Sequence, residues 1–209
     1  MQPELDAAGF QAATGCTEQQ LELLERYRRL LADWNTRLNL VGPATLDVFW
    51  NRHALDSWQL LAAAPHARVW ADLGSGAGLP GVVLAVGLSG TPGARVLLVD
   101  SLAKRCRFLS EVVERLGAPA MVLNARAEDV AEPVDVVTAR ACAPMTRLLG
   151  FAQPWTAKGA LGLFLKGEAV EAEMEEARAD WSFEAQLTPS VSDYRGRLVR
   201  IERLARRGR

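Results

Sequence analysis

The sequence predicts an α/β fold in which a mostly parallel sheet ends in an antiparallel pair and carries a helical extension at its N-terminus. From residue 67 onwards, short apolar runs alternate with helix-length segments, which is typical of parallel strands covered by helices on both faces. Before residue 67 the apolar spacing is helical, and after residue 181 two apolar runs follow without a helix between them. We therefore expect a helical extension over residues 1–66 and an α/β domain over residues 67–209, forming one structural unit.

The extension should contain two helices. Thr17 and Gln20 have the spacing of a capping box, and the apolar residues that follow recur at helical intervals. A second helix is expected over residues 48–64, and Pro65 would end it.

The α/β domain should contain five parallel strands and a closing pair. The first strand, within residues 67–73, leads into GSGAGLPG (residues 74–81), where Pro80 is suited to begin a helix. Ser101 and Gly117 are suited to cap the helix after the second strand. The other strands are predicted over residues 94–100, 120–124, 134–140, 160–166, 182–188 and 197–204, with further helices near 144–152 and 168–179.

Composition excludes several classes of protein. Hydrophobic residues make up 49% of the chain and charged residues 23%, and no apolar run reaches the ~18 residues that cross a bilayer. The N-terminus carries acids and does not resemble a secretory signal. Cys16, Cys106 and Cys142 form no CxxC pair, so we expect no zinc site, no other metal site and no disulfide framework. These features favour a cytoplasmic protein, and a monomer is the default expectation.

Charge is unevenly distributed although the net charge is −1. Residues 168–180 contain six acids and one arginine, whereas residues 195–209 contain seven arginines and one glutamate. Near-neutrality argues against indiscriminate binding of polyanions, but the basic segment permits a directed contact with nucleic acid. A solvated basic surface is the alternative interpretation.

The glycine-rich segment fits two nucleotide-binding patterns. Residues 76–81 satisfy G-x-G-x-x-G, the dinucleotide fingerprint, whereas reading from Gly74 gives G-x-G-x-G, with Gly76 and Gly78, two residues after Asp72. A carboxylate about 6 Å from a phosphate charge would oppose it by roughly 3 kcal/mol at a dielectric of about 20. Asp72 therefore favours S-adenosylmethionine, whose ammonium it could bind. The alternative is that Asp72 only caps the turn.

Two further positions suit the same ligand. Asp100 ends the second strand, where an acid accepts hydrogen bonds from both ribose hydroxyls, although this would suit NAD equally well. Ala127 and Glu128 follow the third strand and are placed to contact the adenine edge. The combination predicts a Rossmann-like, S-adenosylmethionine-dependent methyltransferase.

The fourth strand narrows the choice of methyl acceptor. It continues into TARACAP and lacks the Asn/Asp-Pro-Pro-aromatic turn that is common in amino methyltransferases. Cys142 is near the position of a cytosine-C5 nucleophile, but a thiol that simply packs there is favoured. Arg140 stands at the ligand-facing strand end and could align the cofactor carboxylate or an anionic substrate. Guanine N7 is a natural acceptor because its methylation needs alignment more than a general base. We assign no catalytic residue, and His53 is interpreted as a scaffold residue.

The chain resembles the RsmG family, also called GidB, of bacterial 16S rRNA guanine-N7 methyltransferases. The resemblance covers residues 31–166 and includes WNTRLNLV (34–41), RHALDS (52–57), DLGSGAGLPG (72–81), VDSLAKRCRFL (99–109), RAEDV (126–130), TARACAP (138–144) and LKG (165–167). It implies methylation of guanosine 527 in the 530 loop, in the assembled 30S subunit or a late precursor. Loss of the family's activity is associated with low-level streptomycin resistance.

The same resemblance implies a set of cofactor contacts: Gly74, Leu79, Ala127, Glu128 and Arg140, with Asp100 on the ribose. RNA contacts in the arginine-rich segment rest on charge alone, and the candidates there are Arg195, Arg197 and Arg200, with Lys104, Arg105 and Arg107 after the second strand as alternatives. Lys166, at the end of the fifth strand, could face the substrate or be a structural charge. Two other functions stay open at this point: an RNA-binding assembly factor with a vestigial cofactor pocket, and an NAD-binding oxidoreductase.

Overall fold

A seven-stranded sheet forms the centre of the molecule in the computed structural model, which describes residues 5–130 and 132–208. The strand order is β3-β2-β1-β4-β5-β7-β6, with parallel pairing among β1 to β5 and antiparallel pairing of β7 with β5 and β6. The strands are β1 (Val69–Leu73), β2 (Arg95–Asp100), β3 (Ala120–Asn124), β4 (Val136–Arg140), β5 (Leu161–Lys166), β6 (Trp181–Pro189) and β7 (Arg197–Arg206). The predicted sheet and its closing pair are therefore confirmed.

Eight α-helices surround this sheet within the described ranges: α1 (Ala7–Thr14), α2 (Glu18–Leu38), α3 (Ala44–Asp47), α4 (Asp56–Ala63), α5 (Gly81–Gly87), α6 (Ala103–Leu116), α7 (Met145–Thr156) and α8 (Val170–Ala177). A π-helix covers Trp50–Leu55, and a 3₁₀ turn covers Ala127–Asp129. None of the described helices is long and apolar enough to cross a membrane. Residues 1–4, part of the acidic N-terminus, and Arg209, the last arginine of the basic segment, lie outside the described residues.

Two of the three capping signals read from the sequence are confirmed at helix ends. Thr17 and Gln20 form both hydrogen bonds of the capping box, and Gly117 ends α6 with a φ of 60°. Ser101 does not cap α6, because the helix begins one residue later and Leu102 occupies the N-cap position. The helix expected over 48–64 is instead the π-helix followed by α4, and α1 was not predicted.

Alternating residues of the strands divide the core between the two faces of the sheet. On one face, Trp70 and Leu98 pack with α5, α6 and the helices of the N-terminal extension, including Tyr27. On the other face, Leu97 and Phe164 pack with α7 and α8. The extension thus contributes to a core that it shares with the sheet, and its helices reach the carboxyl edge of β1 and β4.

Candidate functional site

Two cavities lie at the carboxyl edge of the parallel strands and meet at Gly74 and Arg105. The first, of about 570 Å³, lies between the N-terminal helices, the glycine turn and the β6–β7 connection. The second, of about 340 Å³, lies beyond the ends of β2 and β3. Both volumes fall in the ordinary range of small-molecule sites. This edge is where open α/β sheets bind their ligands.

The second cavity contains most of the residues expected at a nucleoside. Asp100, Ala127 and Glu128 line it, together with Cys142 and Phe151. Asp100 Oδ2 accepts the Gly76 amide at 2.9 Å and Oδ1 accepts the Leu102 amide at 2.8 Å. These bonds fix the carboxylate at the strand end and join it to the glycine turn.

The turn itself presents bare backbone to the first cavity. Gly74 and Gly76 have φ values of 66° and 53°, which side chains rarely adopt. A Cβ on Gly76 would meet only the Gly74 carbonyl oxygen, at 3.6 Å, so it would project into open space. Leu79 lines the same cavity. Gly78 does not line this cavity. A Cβ on Gly78 would lie 2.5 Å from Val82 Cγ2, so the glycine lets the turn pack against α5.

Asp72 lies beneath the turn and lines neither cavity. Its side chain is fully buried on β1, and Oδ2 accepts the amide of Gly81 at 3.0 Å. Oδ1 has no hydrogen-bond partner among the described residues. Burial raises the pKa of Asp72 to about 7, against weaker opposing effects of the Gly81 amide, Ser75 and Arg140. The contact with Gly81 is the one expected if Asp72 caps the turn.

Arg140 projects from the end of β4 into a cluster supplied by the N-terminal helices. Its guanidinium donates to the Arg52 carbonyl at 2.9 Å, to His53 Nδ1 at 2.9 Å and to Asp56 Oδ2 at 3.3 Å. Both side chains of the Arg140–Asp56 pair are largely buried. The cluster closes one side of the first cavity, which Arg52, His53 and Asp56 also line.

The hydrogen bonds of His53 define its tautomer. Because a guanidinium only donates, Nδ1 accepts, and the ring proton must sit on Nε2, which lies 2.9 Å from Thr45 Oγ1. Burial first, and then the charges of Arg140 and Arg52, lower the pKa of His53 to about 3. The imidazole is therefore neutral and engaged at both nitrogens, as a scaffold residue would be.

Asp56 joins this cluster to the β6–β7 connection (residues 190–196). Its Oδ1 accepts from the hydroxyls of Ser190 at 3.0 Å and Ser192 at 2.7 Å, while Oδ2 accepts from Arg140. Arg52 forms a second link to the connection through Asp193, at 3.1 Å. Sequence reasoning did not identify Asp56 as a site residue, because the partners of its carboxylate in this cluster lie 84 to 136 residues away along the chain.

The four basic candidates are not equivalent in the structure. Lys166 and Arg195 line the first cavity, but Lys166 is buried and bound to Glu173 at 2.6 Å and to the Ala143 carbonyl at 3.0 Å. Arg197 pairs with Lys166 at the ligand edge of the sheet and donates to backbone carbonyls of the β6–β7 connection. Arg200 lies three residues further along β7 and contacts the Ala63 carbonyl and Glu202, away from both cavities.

Cys142 has the properties of a packed thiol. Its Sγ would lie 2.6 Å from a Cβ on Gly74, so the two residues pack tightly where the cavities meet. Burial, followed by the charges of Asp72 and Asp100, raises the pKa of the thiol, which disfavours the nucleophilic thiolate. Among the described residues no group of His, Cys, Asp and Glu could hold a metal ion.

Comparison with solved structures defines the class of fold. The chain matches a methyltransferase of Podospora anserina with bound S-adenosylhomocysteine, at a TM-score of 0.59 and 12% identity over 94% of this chain and 92% of that one. It also matches a magnesium protoporphyrin IX methyltransferase from Synechocystis with bound S-adenosylmethionine. The TM-score is 0.55 and the sequence identity 11%, over 84% of this chain and 97% of that one. The fold is that of a Rossmann-like methyltransferase, as the sequence predicts.

Sequence comparison defines the family. The chain belongs to the family described as rRNA small subunit methyltransferase G (GidB), whose model matches residues 20–199. It is 60% identical over 202 residues to a ribosomal RNA small subunit methyltransferase G of Caulobacter vibrioides, covering 97% of this chain and 94% of the relative. A protein of the same name from a Bradyrhizobium strain is 45% identical over 205 residues, 96% of this chain and 92% of that relative.

Proposed function

We propose that this protein transfers a methyl group from S-adenosylmethionine to N7 of guanosine 527 in 16S rRNA. Family membership supports an rRNA methyltransferase. The observation that carries the finer proposal is the pair of cavities that meet at Gly74: Asp100 lines one of them, and Arg195 lines the other. The substrate would be the 30S subunit or a late precursor, in the cytoplasm, with the protein acting as a monomer whose residues 1–66 extend a methyltransferase domain over 67–209.

The residues present fit S-adenosylmethionine, which when bound supplies an electrophilic methyl group. Asp100 would hold the ribose hydroxyls, and Ala127 and Glu128 the adenine edge. The exposed backbone of Gly74 and Gly76 would cradle the amino-acid part. Asp72 would act from beneath, by fixing the Gly81 amide and thereby the shape of the turn.

Guanine N7 suits the first cavity because this acceptor has a free lone pair and no proton to remove. His53 is neutral but is engaged at both nitrogens, and Asp56 is paired with Arg140. Their arrangement orients Arg140 at the strand end and leaves no histidine free to act as base there among the described residues. The chain's contribution is therefore to position the acceptor and to exclude water.

Two measurements test this proposal. Calorimetry should give binding of S-adenosylhomocysteine and none of NAD, and the reverse result would favour the oxidoreductase alternative. The purified protein should transfer labelled methyl from S-adenosylmethionine to small subunits that lack the modification. Binding of 16S rRNA without any transfer would instead support an assembly factor with a vestigial pocket.

A further inference from the structure

Tyr194 stands between two residues that line the first cavity, and the residue itself is 83% exposed. Its chain neighbours Asp193 and Arg195 both line the cavity. The Arg195 guanidinium lies 5.7 Å from the centre of the Tyr194 ring. Within residues 5–130 and 132–208 the Tyr194 hydroxyl makes no hydrogen bond, so the contact with Arg195 is the one interaction described for this side chain and most of the ring is left to solvent.

The connection that carries Tyr194 is held in one shape. The Ser190 amide donates to the Gly196 carbonyl at 3.0 Å, and the Gly196 amide donates to the Asp193 carbonyl at 2.8 Å. Arg197 Nη1 donates to the carbonyl of Tyr194 itself at 2.9 Å. An aromatic ring on such a support loses little conformational freedom when a ligand covers it, which is what a binding platform requires.

Asp56 couples the position of this connection to the cavity. One carboxylate oxygen accepts from Ser190 and Ser192, and the other accepts from Arg140. The backbone that carries Tyr194 is therefore held at a defined place relative to the end of β4, where the acceptor base would be held.

We infer that Tyr194 is a stacking platform for an unpaired base of the RNA substrate, next to the base that enters the cavity. This inference rests on the proposed function, since it takes the substrate to be RNA. Single-stranded or extruded bases bind proteins by stacking on exposed aromatic rings, with nearby arginines on the phosphates. Arg195 and Arg52 are both half-exposed and line the first cavity. Both pair with the single carboxylate of Asp193, so the three side chains together keep one positive charge for a phosphate.

Measuring RNA affinity at several salt concentrations separates the contribution of base stacking from that of phosphate contacts. Binding of a single-stranded RNA oligonucleotide covering the methylated loop would be followed by fluorescence anisotropy across a range of salt concentrations. We expect Tyr194→Ala to weaken binding about tenfold, the loss of one stacked base, without changing the salt slope. Tyr194→Phe and Tyr194→Trp should bind as the unaltered protein does, because stacking needs the ring and no hydroxyl.

Val191→Ala is the matched control, because Val191 is an exposed apolar residue of the same connection. It should leave RNA affinity unchanged, and all variants should bind S-adenosylhomocysteine normally. KM for small subunits should rise in Tyr194→Ala while kcat changes little.

Three results would overturn the inference. Equal losses in Tyr194→Ala and Val191→Ala would indicate that the connection matters only for folding. A loss in Tyr194→Phe as large as in Tyr194→Ala would indicate a hydrogen bond in place of stacking. An effect on intact subunits but none on the oligonucleotide would indicate a contact with a ribosomal protein. If the unaltered protein neither binds RNA nor methylates it, the proposed function fails, which is a distinguishable outcome.

Discussion

At the scale of single residues, burial decides the chemistry of the charged groups around the turn. Asp72 and His53 are both removed from water, and each is driven toward its neutral form, so that the pKa of the acid rises and that of the imidazole falls. The Arg140 guanidinium organises the neutral histidine, Asp56 and a backbone carbonyl around itself. The charged group presented by β4 is thus a fixed guanidinium.

The raised pKa of Asp72 makes the stability of the protein depend on pH. Its pKa is about 7 in the folded state and near 3.8 when unfolded, so the native protein binds more protons between these values and stability falls as pH rises through that window. His53 acts with the opposite sign between about pH 3 and 6.5. The two contributions oppose each other in the wild type, so a single variant is needed to separate them.

We therefore expect Asp72→Asn, which keeps an oxygen for the Gly81 amide, to gain melting temperature over the wild type as pH rises from 5 to 7.5. The gain should be several degrees, since 1 kcal/mol moves the Tm of a chain this size by about 2–4 °C. Thermal melts at several pH values measure it, with the exposed Asp47→Asn as control. A difference that stays constant with pH would show that Asp72 is charged throughout.

Arg140 should matter for stability as well as for activity. Removing one member of a largely buried ion pair costs about 3–5 kcal/mol, because the other charge is left unpaired. We expect Arg140→Ala and Asp56→Ala each to lower stability, and the double variant to lose about 1–3 kcal/mol less than the sum. Urea unfolding of the four proteins measures this coupling. Strict additivity would contradict the pairing, whereas lost methyl transfer with unchanged stability would assign Arg140 to the ligand alone.

At the scale of elements, α2 of the N-terminal extension holds the glycine turn from outside. The Tyr27 hydroxyl, fully buried, donates to the Ala77 carbonyl at 2.5 Å. Ala77 lies between Gly76, which lines the first cavity, and Gly78, which does not. The extension therefore shapes the glycine turn, although its sequence contains no nucleotide-binding motif.

Tyr27→Phe should consequently weaken binding of S-adenosylhomocysteine by about tenfold while costing about 1 kcal/mol in stability, the net value of one hydrogen bond. Thr17→Ala is the matched control, since losing the capping box of the same helix costs about as much but does not touch the turn. Calorimetry combined with urea unfolding compares them. Equal ligand affinity in the two variants would show that α2 serves only the core.

How far the sequence predicts these elements depends on the range of the interactions that form them. Strands and caps follow from apolar periodicity and from single residues such as Thr17 and Gly117, so they were predicted. The π-helix over Trp50–Leu55 was not predicted, because the period of a π-helix differs from the α-helical period used to read the sequence. The link from Asp56 to Ser190 spans 134 residues, and no local pattern reports such a contact. Gly78 matches the motif, yet sterics with Val82 and not a ligand explain it.

At the scale of the whole molecule, the arrangement of charge predicts where RNA approaches. Arg195 is 57% exposed at the cavity mouth beside Asp193, whereas Arg203 is 79% exposed further along β7 beside Glu184. The two arginines have similar partners but differ in distance along the strand from the ligand edge. The basic composition of residues 195–209 did not distinguish them, because the register of β7 with β5 decides which arginine reaches the site.

We expect Arg195→Gln to weaken RNA binding and to reduce the slope of log affinity against log salt by about 1, the signature of one lost phosphate contact. Arg203→Gln should leave both quantities unchanged. Binding isotherms at four or five salt concentrations give the slopes. If both variants behave alike, RNA is attracted by the general charge of the strand and has no preferred path to the cavity.

The central claim is that the whole molecule places guanine N7 of nucleotide 527 against a methyl donor. It is tested most directly by mapping N7-methylguanosine in 16S rRNA from cells with the gene, without it, and with the gene restored as wild type. We expect the modification at position 527 to be present, absent and present again in these three strains, with other modified positions unchanged. Methylation at 527 that persists without the gene would contradict it.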